Sequence, residues 1–205
     1  MRILITAGPT FEPIDPVRFI GNRSSGKMGA ALVKAAVKGG NEVTLIAGPV
    51  STQMPKIDRR IDVEDTEQML QAVQGEFPQH DLLIMAAAVA DFRPKAASRQ
   101  KIDRADSLTL ELEPTQDILA TLLKRWDQRT VGFSLETGGN FARARRKLVD
   151  KKLDLMVYNP VSTLGSQTVT ASLLYPDGRE EKLPTLSKTD FADILLQKSI
   201  ALFGA

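Results

Sequence analysis

The pattern of apolar positions divides most of the chain into short strands and amphipathic helices. Arg2–Ala7 and Glu42–Ala47 are short apolar runs, and Leu82–Val89 is a continuous apolar run of the kind that is buried on both faces of a sheet. Between the first two runs, Ser25–Val37 places Met28 and other apolar residues at helical spacing. The opening part of the chain therefore predicts a strand, a helix and a second strand.

The alternation continues as far as Pro160 and then changes. Further helices are predicted over Thr66–Phe77, Gln116–Trp126 and Asn140–Leu153, with strands over Arg129–Ser134 and Leu153–Val157. This rhythm is typical of an α/β fold with a doubly wound, mostly parallel, Rossmann-like sheet that carries helices on both faces. The remainder predicts a C-terminal β-hairpin and a closing helix, over Thr168–Tyr175, Glu180–Leu183 and Lys188–Phe203. We expect one domain over residues 1–205, with the hairpin as an insertion at about 162–185.

Composition narrows the possible chemistry. The chain has 205 residues, no cysteine and one histidine, which excludes disulfides and cysteine-bound zinc and argues against a catalytic triad built on His80. The net charge of +2 does not predict a nucleic-acid partner. No apolar run approaches the roughly 18 residues that span a bilayer, and Met1-Arg2 leads straight into a strand rather than a signal peptide. We expect a cytoplasmic protein with no membrane contact.

Two polar segments are too long to be simple connections. Gly8–Arg23 and Asp91–Asp106 each follow a predicted strand. Loops of this length in a compact domain are usually functional, and α/β folds bind ligands at the carboxyl ends of their strands. The two segments therefore predict an active edge of the sheet.

The stretch Gly21–Gly29 (GNRSSGKMG) matches most of the phosphate-binding pattern G-x-x-x-x-G-K-[ST] and breaks it at Met28. That pattern needs a hydroxyl at this position to bind Mg²⁺, and a strand that runs directly into the loop. The stretch is therefore either a chance match or a phosphate-binding loop of another family. Ser24 or Ser25 can cap the helix that follows.

Other candidates have a structural and a functional interpretation. Lys147 and Lys151 lie four residues apart on a predicted helix, so they form either a solvated basic face or two contacts to a polyphosphate. Asp91 follows the small residues 86–88, which either admit a planar ligand or simply fit beneath a helix. Lys101 stands in a polar segment and, taken alone, is typical of a solvent-exposed lysine.

Several motifs, in order along the chain, resemble those of phosphopantothenoylcysteine synthetase. They are residues 5–10 (ITAGPT), 12–18 (EPIDPVR), 22–29 (NRSSGKMG), 86–93 (AAAVADFR), 101–102 (KI), 131–133 (VGF), 136–137 (ET), 147, 151 and 153–155 (LDL). The resemblance covers most of the chain and is weakest from Pro160 onward. In many bacteria this synthetase is fused behind a flavin-dependent decarboxylase. We expect a stand-alone form that resembles the C-terminal half of the bifunctional protein, without flavin, and the resemblance implies a separate decarboxylase as a partner.

The resemblance implies a ligase of coenzyme A biosynthesis. Such an enzyme activates the carboxylate of 4′-phosphopantothenate with CTP or ATP, which gives an acyl-nucleotidylate and pyrophosphate. The amine of L-cysteine then displaces the nucleotide. The resemblance also implies that Mg²⁺ is carried by the triphosphate rather than by side chains that we can name. Family members are usually homodimers whose sites are completed near the interface, and the hairpin over 168–183 is a candidate partner surface.

The matching positions imply a nucleotide site. Its members are Met85, Ala86, Ala87, Asp91, Lys101, Gln116, Asp117, Ile118, Leu119, Phe133, Lys147 and Lys151. Small residues and one aromatic suit a base that is recognised by backbone groups and stacking. The lysines would spread positive charge along a triphosphate, and Asp91 would accept from a hydroxyl or hold a cation.

A second set of positions implies the phosphopantothenate site. Its members are Arg18, Asn22, Ser24, Ser25, Gly26 and Lys27. The start of a helix offers free N–H groups and a favourable dipole to a phosphate. The resemblance assigns catalytic roles to Lys101 and Asn22. The amide of Asn22 would donate to a developing oxyanion and accept from the incoming amine.

Three departures from the family pattern leave alternatives open. Asp103 and Arg104 stand where a second lysine is usual, Gln116 occupies the proline position of Asn-Pro-Asp-Ile, and Tyr158-Asn159-Pro160 replaces Ala-Asn-Asp. One alternative is therefore a non-catalytic or altered nucleotide-binding relative. Another is an NAD(P)-dependent oxidoreductase, which the lack of a G-x-G-x-x-G turn after the first strand opposes.

Overall fold

The computed structural model of the protein describes residues 1–122, 128–137, 141–163 and 165–203. The strands in these ranges are β1 (Arg2–Ala7), β2 (Phe11–Pro13), β3 (Phe19–Gly21), β4 (Glu42–Ala47), β5 (Arg59–Asp62), β6 (Leu82–Met85), β7 (Phe92–Pro94), β8 (Leu112–Pro114), β9 (Arg129–Glu136), β10 (Leu155–Pro160), β11 (Thr168–Val169), β12 (Ser172–Leu174), β13 (Glu180–Lys182) and β14 (Leu186–Ser187). The α-helices are α1 (Lys27–Lys38), α2 (Thr66–Glu76), α3 (Ile118–Leu122), α4 (Phe141–Asp150) and α5 (Lys188–Ala201).

Eight of the described strands form one sheet, in the order β13-β12-β10-β9-β6-β1-β4-β5. The strands from β10 to β5 pair in parallel, and β12 and β13 extend the sheet antiparallel. The chain winds from β1 outward through β4 and β5, and then returns to the other side of β1 with β6, β9 and β10. The winding therefore reverses between β1 and β6, where doubly wound folds leave a crevice for ligands. The fold class predicted from the sequence is confirmed.

Alternate side chains of the central strands enter two separate cores. In β1, Ile3 and Ile5 face a core that is shared with α1 and α5, whereas Leu4 faces the core under α2, α3 and α4. In β6, Ile84 enters the first core and Leu83 the second. All five side chains are fully buried. Because helices cover both faces, these strands are apolar throughout rather than alternating.

Only the first half of the predicted strand Leu82–Val89 forms a strand in the structure. Pairing in β6 stops at Met85, and residues 86–89 leave the sheet half-buried, with one isolated bridge between Pro9 and Ala88. The first four residues of the apolar run therefore belong to the sheet, and the next four form the segment that follows its carboxyl edge.

The two long polar segments contain short strands that the sequence pattern did not indicate. β2 and β3 form an antiparallel hairpin within Gly8–Arg23, and β7, within Asp91–Asp106, pairs with β8. β7 lies against β2 and β3, and the Ser98 N–H donates to the Ile14 carbonyl over 2.8 Å. The segments therefore pack together at the same edge of the sheet, as expected.

The C-terminal hairpin forms, but its first predicted strand is divided. β12 and β13 pair across the turn and join the central sheet, whereas β11 turns aside to pair with β14 just before α5. Parts of two predicted helices, at residues 123–127 and at Asn140, lie outside the described residues. Among the residues that are described, no helix has the length and apolarity needed to cross a bilayer.

Candidate active site

A cavity of about 590 Å³ lies at the carboxyl ends of β6 and β9, beside the start of α1. It contains every residue of the two sets predicted from the sequence except Arg18 and Lys101. The predicted residues that line it are Asn22, Ser24, Ser25, Gly26, Lys27, Met85, Ala86, Ala87, Asp91, Gln116, Asp117, Ile118, Leu119, Phe133, Lys147 and Lys151. The cavity therefore occupies the point where the winding of the sheet reverses.

Arg18 and Lys101 lie outside this cavity. Arg18 donates to the Ile102 carbonyl over 2.8 Å and pairs with Asp15 at 3.3 Å, while Ile102 N–H donates to Asp15 over 3.1 Å. Lys101 is exposed beside this junction. Burial of Asp15 opposes its ionisation, but the N–H groups of Ile102, Val17 and Arg18 and the charge of Arg18 hold its pKa below the usual range. Arg18 thus ties together the two polar segments.

The start of α1 is not capped by a serine, so that prediction is wrong. Gly26 takes the N-cap position with φ of 79°, and no side chain bonds to the first turn. A side chain at Gly26 would meet Val50 and Met54, and only glycine adopts this left-handed conformation without strain. Because no side chain caps the first turn, its N–H groups remain available to an anion, and Ser24 and Ser25 line the cavity just before them.

Close packing fixes α1 against β1. A Cβ atom built on Gly29 would lie 2.3 Å from the Ala7 Cβ, so a larger residue would push the helix away from the strand. Met28, which stands at helical spacing with other apolar residues, is partly buried and packs against the core, but it also lines the cavity. The last four residues of the P-loop-like stretch therefore position a helix start and do not build a magnesium site.

Asn22 is held by the backbone above β6. Its side-chain nitrogen donates to the Ala88 carbonyl over 3.1 Å and to the Val89 carbonyl over 2.9 Å. An amide nitrogen has two hydrogens, so both are used in this arrangement. The amide oxygen is then the group that Asn22 offers to a ligand. The geometry suits acceptance from an amine, whereas donation to an oxyanion would require the amide to leave these carbonyls.

Buried hydroxyls shape the cavity wall at residues 86–90. Ala87 N–H donates to Thr6 Oγ1 over 3.1 Å, and Ala90 N–H donates to Thr10 Oγ1 over 2.9 Å. Thr10 Oγ1 lies 3.1 Å from Thr66 Oγ1, which in turn donates to the buried Glu12. The wall therefore presents backbone groups whose positions are set by side chains in the layer beneath.

Lys147 is paired with a buried carboxylate. Its Nζ lies 2.9 Å from Glu136 Oε1, which also accepts from Ser134 Oγ over 2.8 Å, and Arg143 lies 3.7 Å from the other oxygen. Burial opposes ionisation of Glu136, which is 5% exposed, but the hydrogen bonds from Lys147 and Ser134 and the charges of Lys147 and Arg143 lower its pKa. Lys147 is therefore held in place by a buried carboxylate whose lowered pKa favours the charged form.

Lys151 has a more exposed partner. Its Nζ lies 2.9 Å from Asp117 Oδ2, and Asp117 Oδ1 accepts from Ala120 N–H over 3.0 Å in the first turn of α3. The sequence places Lys147 and Lys151 four residues apart on a predicted helix, where two like charges repel each other. Each instead has its own carboxylate, which neutralises much of that repulsion. Asp117 and Lys151 were both predicted to contact the nucleotide, and in the structure they pair with each other.

The structure adds residues that the sequence interpretation missed. Lys188, the first residue of α5, lines the cavity together with Thr115, Asn159, Thr163 and Gly165. Asn159 belongs to one of the departures from the family pattern, whereas Asp103 and Arg104 of another are exposed and outside the cavity. In the sequence interpretation, Lys188 was only the start of the amphipathic closing helix. A lysine at the first position of a helix is unusual because the helix dipole disfavours a cation there, and this could have indicated a functional residue.

His80 has a structural role. Its Nδ1 lies 2.7 Å from the Glu76 carbonyl and its Nε2 lies 2.8 Å from Thr44 Oγ1, and the ring is buried away from the cavity. The described residues contain no cluster of three acidic or histidine side chains that would hold a metal ion. Asp91 and Asp117 are exposed carboxylates of the cavity, and Asp117 is paired with Lys151. Mg²⁺ is commonly held by one carboxylate together with phosphates.

Comparison with known sequences identifies the family. The family model described as the DNA/pantothenate metabolism flavoprotein C-terminal domain matches residues 1–202. This chain belongs to that family. The DNA/pantothenate metabolism flavoprotein C-terminal domain thus extends over the residues of both cores and of the cavity, including the C-terminal part in which the motifs are weakest.

Two curated relatives share this domain. The chain is 44% identical over 211 residues to the coenzyme A biosynthesis bifunctional protein CoaBC of Vibrio vulnificus, covering 98% of this chain and 52% of that protein. It is 44% identical over 208 residues to CoaBC of Bacillus subtilis, covering 98% and 51%. The resemblance predicted from the motifs is confirmed. The chain spans about half the length of the curated relatives it matches.

Solved structures agree with this assignment. The crystal structure of the C-terminal domain of CoaBC matches with a TM-score of 0.85 and 39% identity, covering 100% of this chain and 96% of that one. A Cab2 mutant in complex with phosphopantothenate-cysteine matches with a TM-score of 0.82, covering 98% and 85%. At 19% identity, the second match supports the fold alone.

Proposed function

We propose that this chain is a phosphopantothenate–cysteine ligase that uses CTP or ATP. One observation carries the proposal: a single cavity at the reversal of the sheet holds an uncapped helix start at one side and Lys147 and Lys151 at the other. An enzyme that joins a phosphorylated acid to a nucleotide needs both kinds of anion site within reach of one carboxylate. The identity to CoaBC and the fold shared with Cab2 support this choice.

In this proposal the first reaction step is mainly one of alignment. The carboxylate of 4′-phosphopantothenate attacks the α-phosphate of the nucleotide, and pyrophosphate leaves. The backbone wall at 85–87, with Phe133, would hold the base, while Gln116 to Leu119 would contact the nucleotide from the start of α3. Lys147 and Lys151 would stabilise the charge of the departing pyrophosphate. Mg²⁺, bound to the triphosphate and to Asp91, would supply further charge neutralisation.

The second step joins the amine of L-cysteine to the activated carbonyl. Asn22 presents its amide oxygen from a position fixed by two carbonyls. That oxygen would accept a hydrogen bond from the cysteine amine and so orient its lone pair toward the carbonyl carbon. The amine forms the new C–N bond, the C–O bond to the nucleotide phosphate breaks, and the nucleoside monophosphate leaves. The proton that the amine loses passes to the leaving phosphate or to water.

Pyrophosphate release tests this function directly. Purified protein is incubated with phosphopantothenate, Mg²⁺ and either CTP or ATP, with and without cysteine. We expect pyrophosphate release that depends on phosphopantothenate, and ligated product only when cysteine is added. No release with either nucleotide would favour a non-catalytic nucleotide-binding relative. A thermal shift with NADPH alone would favour the oxidoreductase alternative.

We also propose that the chain acts as a homodimer through its two small hairpins. Phe19, Phe92 and Leu112 are 50%, 52% and 47% exposed on β3, β7 and β8, and Val17, between β2 and β3, is 61% exposed. β7 lies against β3 and pairs with β8. An apolar patch of this kind favours a protein partner. Lys101 extends from the adjoining segment, outside the cavity of its own chain, so a second copy offers a way for it to reach a site.

Sedimentation tests the dimer. Phe19→Asp together with Phe92→Asp should give a monomer at micromolar concentration, because two charges would have to be buried in the interface. Val149→Asp is the matched control, since Val149 is 66% exposed on α4. A wild-type monomer would contradict the dimer itself. A dimer that the double variant retains would contradict this surface and make the C-terminal hairpin the next candidate.

A further inference from the structure

Asn22 and Asp91 both depend on the segment that leaves β6. Asn22 donates to the carbonyls of Ala88 and Val89 over 3.1 and 2.9 Å, and Asp91 stands immediately before β7. Residues 86–91 belong to none of the strands of the central sheet. The position of this segment is therefore set by hydrogen bonds to other parts of the chain, in which two threonines take part.

Thr10 orients the peptide group that holds Asn22. Its Oγ1 accepts from the Ala90 N–H over 2.9 Å, and its own N–H donates to the Ala88 carbonyl over 3.3 Å. The Ala90 N–H and the Val89 carbonyl belong to one planar peptide group. Thr10 therefore holds one side of this group, while Asn22 donates to the other side. A rotation of the peptide group would move the Val89 oxygen away from the Asn22 amide.

The direction of the hydrogen bonds behind Thr10 follows from the number of hydrogens available. Thr66 Oγ1 donates its single hydrogen to the Glu12 carboxylate over 2.5 Å. In the 3.1 Å contact between the two hydroxyls, Thr10 is therefore the donor and Thr66 the acceptor. The lone pairs of Thr10 Oγ1 remain for the Ala90 N–H. Thr10, Thr66 and Glu12 are all buried, so solvent is kept from these bonds.

Thr115 holds the peptide groups on both sides of Asp91. Its Oγ1 donates to the Ala90 carbonyl over 2.5 Å, and its N–H donates to the Asp91 carbonyl over 3.0 Å. The first bond fixes the peptide group before the Cα of Asp91, and the second fixes the one after it. One residue therefore sets the direction in which the Asp91 side chain leaves the backbone at the cavity.

We propose that Thr10 and Thr115 are positioning residues with separate tasks, Thr10 for the Asn22 amide and Thr115 for the Asp91 carboxylate. The inference deepens the proposed function and rests on it for the two reaction steps. Asn22 would act when the cysteine amine attacks, and Asp91 when the nucleotide is bound. Ligation and nucleotide binding should therefore respond to different threonines, although the two threonines bond to neighbouring peptide groups.

Thr10→Val and Thr10→Ser test the first task. Valine leaves the Ala90 N–H without its acceptor, whereas serine retains the hydroxyl. We expect Thr10→Val to slow the formation of ligated product about tenfold, with pyrophosphate release and the Kd for CTP close to those of wild type. Thr10→Ser should restore most of the rate. Rapid-quench analysis measures both steps. Equal slowing of the two steps, or a serine variant no faster than the valine variant, would overturn this task.

A double-mutant cycle tests the second task. We expect Thr115→Val to raise the Kd for CTP about fivefold in calorimetric titrations, and Thr115→Ser to bind CTP nearly as wild type does. Because a positioning residue acts only through its partner, Thr115→Val should weaken CTP binding no further when it is added to Asp91→Asn. If the two losses add in full, Thr115 does not act through Asp91, and this assignment fails.

Thr44→Val separates positioning from general support of the fold. Thr44 is a buried threonine whose Oγ1 bonds to His80, and neither residue lines the cavity. We expect Thr44→Val to lower the Tm about as much as Thr10→Val does, because each leaves a buried polar group without its partner. It should alter neither reaction step. If Thr44→Val slows ligation as strongly as Thr10→Val, the loss follows from lower stability and the positioning role is overturned.

A measurement without ligands distinguishes failure of this inference from failure of the proposed function. The two side-chain amide hydrogens of Asn22 are followed by NMR and are assigned by their absence in Asn22→Asp. Thr10→Val should shift both signals more than Thr115→Val does. If the signals shift in this way but wild type ligates nothing, the positioning stands and only the proposed ligase is lost. If wild type ligates its substrates and Thr10→Val leaves the signals unmoved, the ligase stands and this inference is overturned.

Discussion

The two ends of the cavity hold their lysines in opposite ways. Lys27 and Lys188 line the first end, and neither forms an ion pair with a carboxylate among the described residues, whereas Lys147 is paired with Glu136 and Lys151 with Asp117. The first end therefore keeps two positive charges without a paired carboxylate. The second end is close to neutral before a ligand arrives. An anion that enters there has to draw each lysine from its carboxylate or bring its own cation. Counting lysines therefore overstates the positive charge that the second end offers.

The residue between the two ends should show the largest effect. Asn22→Asp removes both donated hydrogens and places a negative charge against the carbonyls of Ala88 and Val89. We expect pyrophosphate release to continue while ligated product falls about 100-fold or more, as for loss of a positioned catalytic donor or acceptor. Rapid-quench analysis with CTP separates the two steps. If both steps slow together, Asn22 does not act specifically on the second.

Breaking the buried pair should be the next largest effect. Lys147→Met leaves Glu136 with Ser134 and Arg143 but without its 2.9 Å partner. Because the Lys147 side chain is 34% exposed, we expect the free energy of unfolding to fall by only about 1–3 kcal/mol, less than for a fully buried pair. Chemical denaturation measures this loss. The KM for the nucleotide should rise, and that for phosphopantothenate should not.

The control for this pair is Arg146→Met, which removes an exposed cation from the same helix. It should change stability within about 0.5 kcal/mol and leave both KM values unaltered. If Lys147→Met and Arg146→Met behave alike, the lysine is one charge of a solvated basic face, and the contrast between the two ends of the cavity disappears.

Acid should weaken the paired end through Glu136. The pKa of its carboxyl is lower in the folded protein than in the unfolded chain, where it is about 4.3. Its stabilising contribution is therefore complete above the unfolded value and is lost as the pH falls through the folded value. We expect Glu136→Gln to be less stable than wild type at about pH 6, with the difference shrinking below about pH 4. A Tm difference that stays constant from pH 6 to pH 3 would refute this.

The exposed pair should give the smallest change in stability. Lys151→Ala removes a contact in which Asp117 is 46% exposed, so the free energy of unfolding should change by less than about 1 kcal/mol. The nucleotide KM of the variant should nevertheless be higher than that of wild type. Added salt should raise the KM of wild type more than that of the variant, because the variant has already lost the charge that salt screens. Equal salt dependence in the two proteins would show that Lys151 does not contact the nucleotide.

The sequence was sufficient where periodicity alone decides the outcome. Ile3, Leu4 and Ile5 alternate between two cores, and that is what an unbroken apolar run between two helical layers predicts. β5 was missed because Arg59–Asp62 is a polar edge strand. β7 and β8 were missed because each has three residues and they pair across a long separation.

The candidate site was predicted as a set of residues but not as a set of contacts. The motifs predicted that Asn22, Asp91 and Lys147 are site residues, and all three line one cavity. They could not show that Glu136, on the neighbouring strand, neutralises Lys147, because that pairing depends on how α4 lies against β9. The serine cap failed for a local reason, since the chain reaches α1 through the left-handed Gly26.

The buried chain of Thr10, Thr66 and Glu12 has a consequence for protein engineering. It fixes the Ala90 N–H of the cavity wall from the layer below, through hydroxyls of residues that do not line the cavity. A designer who wishes to reshape this part of the wall would find few side chains on it to replace. The substitutions would instead lie at Thr10 or Thr66, and each would have to supply a new partner for the Ala90 N–H or for Glu12.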